Sequence, residues 1–194
     1  MSTTTMDGTA ASGRTAGEGE GRGVARGGGL TLDGLLALGA DELEALYRGA
    51  KAPELAEIEG DLRGRMLAVV ALPGWVRPAL RAFAGSRAFP WRGKSFRFLG
   101  GGVGEGLNRV FSDRISWLRW FRFTTAPGPS RAGGFEAVQL DYDHPENPWF
   151  IRAIKDEIRE VRPGLYLGQA YLQAGGGARL VLYFALALPG REAA

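Results

Sequence analysis

Acidic residues, a phenol and an imidazole adjoin at one place in this 194-residue chain, Asp141-Tyr142-Asp143-His144. Neighbouring carboxylates can couple electrostatically or hold a guanidinium, and imidazole titrates near neutrality, so the run carries groups suited to acid–base work. In an alternating strand Asp141 and Asp143 share one face while Tyr142 points to the other. A second polar group follows at Arg152, Asp156, Glu157, Arg159 and Glu160. The spacing of Ile151, Ile154 and Ile158 predicts an amphipathic helix that starts after Pro148 and runs to Val161, with Arg152 and Asp156 at i, i+4 on its polar side. Asp141, Asp143, His144, Asp156 and Arg159 are therefore the candidate catalytic residues. No paired nucleophile and base is recognisable beside them.

Residues suited to holding a ligand lie on predicted strands. Arg114 to Thr125 (RISWLRWFRFTT) has the strongest strand composition in the chain. Alternation puts Trp117, Arg119, Phe121 and Phe123 on one face, and Leu118, Trp120 and Arg122 on the other. An inward Arg119 would anchor an anionic head group. Tyr166, Gln169, Tyr171 and Tyr183 would add polar contacts to an otherwise apolar cavity. Interleaved Arg and aromatic residues also serve single-stranded nucleic-acid binding, but a net charge of only +3 argues against that partner.

Other motifs fail on their own requirements. Gly93-Lys94-Ser95 has Ala88 where a phosphate loop needs its first Gly, and Phe96-Arg97-Phe98 then alternates like a strand instead of opening a helix. Gly100 to Gly106 misses the dinucleotide pattern in every register and reads as a mobile turn. The chain has no Cys and one His, which leaves too few ligands for a metal site, so no metal and no cofactor is expected. Haem held by His144 alone is a further alternative, since one imidazole suffices.

The elements that must position these residues are mostly strands. Met1 to Gly29 is Gly-rich and lacks large apolar groups, which predicts a disordered tail, and residues 30–194 are expected to form a single domain. Thr31 to Tyr47 reads as helical, with an internal restart at Ala40-Asp41. Glu54 to Leu72 suits a first strand, Trp75 to Ala84 a short helix, and Ala88 to Arg97, Leu107 to Phe111 and Phe135 to Tyr142 further strands. Pro127 to Gly134 reads as a polar loop, and Leu165 to Gln173 and Arg179 to Leu188 as a closing hairpin. About seven or eight antiparallel strands, a helical lead-in and one helix inserted near the C-terminus make a mainly β chain. A closed barrel buries such strands without long exposed edges, and about eight can hold one small ligand. No stretch approaches the roughly 18 apolar residues of a membrane span, no secretory signal is evident, and a cytoplasmic location is expected.

Two segments carry a family resemblance. Glu59-Gly60-Asp61-Leu62-Arg63-Gly64-Arg65, after a helical lead-in that ends at Pro53, is similar to the Gly-x-Trp-x-Gly opening of small bacterial lipocalin-like proteins, with Leu62 where those have Trp. Pro163-Gly164-Leu165-Tyr166-Leu167-Gly168 resembles their closing strands. The resemblance implies a lipocalin-like β-barrel that binds a hydrophobic small molecule, and it supplies no catalytic residue. The expected function is thus binding of an apolar or aromatic small molecule, with or without an anionic end, in the barrel. A small barrel enzyme doing isomerase, cyclase or lyase chemistry on such a ligand is the alternative, and a pocket where a carboxylate and a Tyr converge would favour it.

Overall fold

The structure, a computed structural model, describes Met1 and residues 30–70, 90–110 and 119–190. The expected tail and the expected helix at Trp75 to Ala84 lie outside the described residues. Eight strands close into one antiparallel barrel: β1 (Gly60–Val69), β2 (Trp91–Gly100), β3 (Val103–Val110), β4 (Arg119–Pro129), β5 (Glu136–Asp141), β6 (Ile154–Arg162), β7 (Leu165–Ala174) and β8 (Gly177–Ala187). Each strand pairs with the next in sequence, and β8 returns to β1, with Arg63 opposite Ala187. Closure leaves no sheet edge to protect.

Alternation along each strand divides the apolar residues between two cores. Leu62, Phe96, Phe123, Val138, Leu140, Tyr142, Ile158, Tyr166, Ala170, Phe184 and Leu186 fill the interior. Leu67, Leu165, Leu167, Tyr183, Ala185 and Ala187 point outward, where two lead-in helices, α1 (Leu32–Leu35) and α2 (Ala40–Gly49), cover them with Leu32, Leu35, Leu43 and Tyr47. Thr31 caps α1 by accepting from Gly34 N. The helical restart falls at Ala40 as expected, although the group bonded at the α2 start is Glu42, which accepts from Gly39 N at 2.7 Å, and not Asp41. A single 3-10 turn, Leu55–Ile58, then inserts Leu55 and Ile58 into the interior core and plugs one end of the barrel.

Two inward glycines give aromatic rings their place. A Cβ on Gly106 would stand 2.4 Å from the Phe123 ring, and one on Gly168 would stand 2.2 Å from that of Phe184. Both rings therefore lie flat across the neighbouring strand, where any side chain would displace them.

Three expectations are corrected. The helix expected from Pro148 to Val161 is a single turn, α3 (Trp149–Arg152), and Ile154 onward is strand β6. Ile154 and Ile158 are spaced by an even number, which suits one strand face as well as a helix. Asp156 and Glu157 between them are both buried, one on each face, so the alternation that marks a half-exposed strand is missing. The turn expected across Gly100 to Gly106 is confined to residues 101–102, and Gly104 and Gly106 belong to β3. The loop expected from Pro127 begins after Pro129, because β4 pairs with β5 through Pro129 and Glu136.

Candidate functional site

At the end of the barrel opposite the 3-10 plug lies a cavity of about 310 Å³. Met66, Trp91, Val110, Phe121, Ile151, Ile154, Leu182 and Phe184 make it apolar, while Lys94, Asn108, Tyr142 and Asp156 stand together at its polar end. All four polar residues are buried. Each sits at an inward position of a different strand or strand end: Lys94 on β2 in phase with Phe96, Asn108 on β3 in phase with Gly106, Tyr142 directly after β5 in phase with Leu140, and Asp156 on β6 in phase with Ile158.

Lys94 Nζ donates to Asp156 Oδ2 at 2.9 Å, to Asn108 Oδ1 at 3.0 Å and to the Tyr142 hydroxyl. The Tyr142 hydroxyl donates to Asp156 Oδ2 at 3.0 Å and accepts from Asn108 Nδ2 at 3.2 Å. Trp91 Nε1 donates to Asn108 Oδ1 at 2.9 Å, which fixes the orientation of that amide. Four aromatic rings, those of Trp91, Phe123, Tyr142 and Phe184, lie with centroids 5.1–5.6 Å from Nζ. Their faces attract a cation and so offset part of the cost of burying it. Burial still pushes the Lys94 amine below its ordinary range, against the pull of Asp156. It also pushes the Tyr142 phenol well above its ordinary value, and the Asp156 carboxylate adds to that rise, so Tyr142 keeps its proton.

One atom in this group has no partner. Asp156 Oδ1 is buried and accepts no hydrogen bond. A buried acceptor left unmade costs about 1–3 kcal/mol, and the cost is greater for a charged group.

The rim carries a backbone irregularity. Phe121 has φ +57°, a left-handed value that β-strand residues of this size seldom take, and the β3–β4 register slips between Leu107 and Asn108 at the same place. The Phe121 ring, in phase with Phe123, lines the cavity, and the bulge reverses the phase of the residues before it. Arg119 is consequently not an inward anchor. It pairs with Asp61 at 2.7 Å and is partly exposed beside the outward Arg109.

The expected site residues thus separate. Of the catalytic candidates, only Asp156 reaches the cavity. Asp141 and Asp143 face away from it: Asp141 binds Lys155 and accepts from Asp143 N, and Asp143 holds Arg152 Nε at 2.7 Å. Burial pushes the Asp141 carboxyl up, but Lys155 and the Asp143 N–H outweigh it and leave it below its ordinary value. His144 lies in the following turn, with Nδ1 3.9 Å from Glu146 Oε1, and is not part of the cavity wall. Arg159 points outward and caps α2 by donating to the carbonyls of Tyr47 at 2.8 Å and Arg48 at 3.1 Å. Of the ligand-binding candidates, Phe121 lines the cavity and Phe123 lies in the core beside Lys94, while Trp117 lies outside the described residues. Tyr166 points inward but at the plugged end, where its hydroxyl donates to Glu57 O at 3.3 Å. Gln169, Tyr171 and Tyr183 are on the outer face under α2: Gln169 Nε2 and the Tyr183 hydroxyl both donate to Glu44 Oε2, at 2.6 and 2.8 Å, and the Tyr171 hydroxyl donates to Gln169 Oε1. Inward positions on β7 are even-numbered, as Gly168 and Ala170 show, so the odd-numbered residues could not line the cavity.

Lys94, Asn108, Tyr142 and Trp91 were not among the sequence candidates. A signal for Lys94 was present: it alternates in phase with Phe96 and Phe98, a charged residue on an apolar strand face. Among the described residues no three His, Asp or Glu side chains converge as a metal site, and no helix is long and apolar enough to cross a membrane.

No protein-family model matches the chain, and no curated protein matches it. A solved crystal structure of a protein from Thermomonospora curvata is similar over 77% of this chain and 87% of that one, with 17% identity and a TM-score of 0.44.

Proposed function

We propose that this barrel binds an apolar or aromatic small molecule in the lipocalin manner, with the ligand body against Trp91, Phe121, Ile151, Ile154, Leu182 and Phe184. The observation that carries the reading is the cavity itself: about 310 Å³ of apolar-walled space that ends on a small convergent polar group. That combination is the usual form of a small-molecule site. A buried ion pair contributes little net stability compared with apolar residues of the same volume, so stability alone gives weak reason for Lys94 and Asp156 to stand in this interior. Native mass spectrometry of the purified protein with a library of lipids and aromatic compounds tests the reading. Retention of an apolar compound, lost when Leu182→Trp fills the cavity, is the expected result, and retention of nothing would overturn it.

Acid–base catalysis on such a ligand is the second reading, and one observation favours it: a carboxylate, Asp156, and a phenol, Tyr142, meet 3.0 Å apart at the cavity wall. Asp156 is then the base, and Tyr142 gives up its bond to Asp156 Oδ2 to donate to the developing oxyanion. Exchange of the α-protons of 2-tetralone in D₂O, followed by NMR, checks it: acceleration by the wild type that Asp156→Asn abolishes supports catalysis, and none leaves binding alone.

A further inference from the structure

We infer that the molecule held in the cavity presents a neutral hydrogen-bond donor, a hydroxyl or N–H on an apolar or aromatic body, to Asp156 Oδ1. This rests on the ligand-binding reading above and specifies the head group that the site takes.

The inference comes from accounting for every donor and acceptor at the polar end. The three protons of the Lys94 ammonium are directed to Asp156 Oδ2, Asn108 Oδ1 and the Tyr142 hydroxyl. The single Tyr142 proton goes to Asp156 Oδ2, and its oxygen already accepts from Lys94 and Asn108. The two Asn108 amide protons go to the Tyr142 hydroxyl and to the carbonyl of Phe121, and its Oδ1 takes Lys94 and the Trp91 indole N–H. No donor in the group is left for an incoming acceptor. Asp156 Oδ1 is the one unfilled position, and it accepts only.

An anionic head would find the Lys94 protons already engaged and a carboxylate oxygen facing it. Lys94 is therefore the group that holds Asp156 in place, and it is not the ligand's anchor. A hydroxyl or N–H that reaches Oδ1 completes the network. Such a bond to a charged acceptor inside an apolar cavity separates a donor from its blocked analogue by about tenfold or more.

The test is calorimetric titration of the full chain with four probes of one shape: 2-naphthol, 2-methoxynaphthalene, 2-naphthoate and naphthalene. The expected order puts 2-naphthol at least about tenfold tighter than the methoxy compound and 2-naphthoate weakest, with the naphthol preference gone in Asp156→Asn. If naphthol and its methyl ether bind equally, water and not the ligand satisfies Oδ1, and the donor assignment falls while the cavity reading stands. Tightest binding of 2-naphthoate would make Lys94 the anchor and also overturn it. If no probe binds, the cavity reading itself falls. The probe series on the wild type decides the matter even if Asp156→Asn does not fold.

Discussion

Asp156 and Glu157 are consecutive carboxylates on β6, both buried, and they face opposite sides of the barrel wall. Glu157 points outward under α2 and is filled: it accepts from Tyr47 at 2.9 Å, Ser130 at 2.6 Å, Arg131 N at 3.0 Å, Arg131 Nη1 at 3.2 Å and Gln139 at 3.2 Å. Its bonds tie together α2, the β4–β5 loop and β5. Asp156 points inward, with both of its donors on one oxygen and nothing on the other. A carboxylate with every position filled fastens structure, and one with a position open beside an apolar cavity is placed to meet something. The same contrast holds for the phenols: Tyr47 is fixed to Glu157 in the outer layer, and Tyr142 belongs to the group at the cavity.

Removing the outer carboxylate should have the largest effect. Glu157→Ala removes the acceptor of five hydrogen bonds and is expected to cost about 3–5 kcal/mol in urea unfolding. Lys94→Met should cost less, about 2–3 kcal/mol, because Asp156 borders a cavity that water can enter. The double substitution Lys94→Met, Asp156→Leu should return to within about 1 kcal/mol of the wild type, since the inner pair is replaceable by apolar volume. Failure of that rescue would mean that the inner group also fastens structure, and the distinction would collapse.

The pH dependence separates the regions further. The folded Lys94 amine lies below its ordinary 10.5, so as pH rises through the window beneath 10.5 the folded state gives up this proton before the unfolded chain does, and stability gains. The folded Tyr142 phenol lies above its ordinary 10.0, so above pH 10 the unfolded chain loses that proton first, and stability falls. The wild type should gain stability as the pH approaches 10, a gain that the double variant lacks, and both should lose stability beyond pH 10 through Tyr142, as followed by urea unfolding at stepped pH. The smallest effect is expected at the outer rim: Arg119→Ala breaks a partly exposed pair with Asp61, costs about 0–1 kcal/mol, and leaves ligand affinity unchanged.

The barrel was legible in the sequence because most of its strands alternate and end at Gly or Pro, as at Gly60 and Pro163-Gly164. β6 was not, because Asp156, Glu157 and Arg159 are buried polar residues with partners far away in the chain, on α2, β2 and the β4–β5 loop. Polarity in a local window was read as exposure, so a strand buried on both faces looked like one side of a helix. The phase of Tyr142, opposite to Asp141 and Asp143, was correct and led inward. That of Arg119 failed at the bulge at Phe121, which no residue type announces. Asp156 was named for its charge, but its partner Lys94, 62 positions earlier, meets it only through closure of the barrel.

The contrast between the two carboxylates is tested most directly by NMR of the side-chain N–H groups during titration with 2-naphthol. Trp91 Nε1–H reports on the inner group through Asn108, and the Gln169 amide reports on the outer layer through Glu44. A saturable shift of the Trp91 indole resonance, assigned by its loss in Trp91→Phe, with the Gln169 amide unmoved, is the predicted result. A Trp91 resonance that stays fixed, or a Gln169 amide that moves in its place, would contradict it.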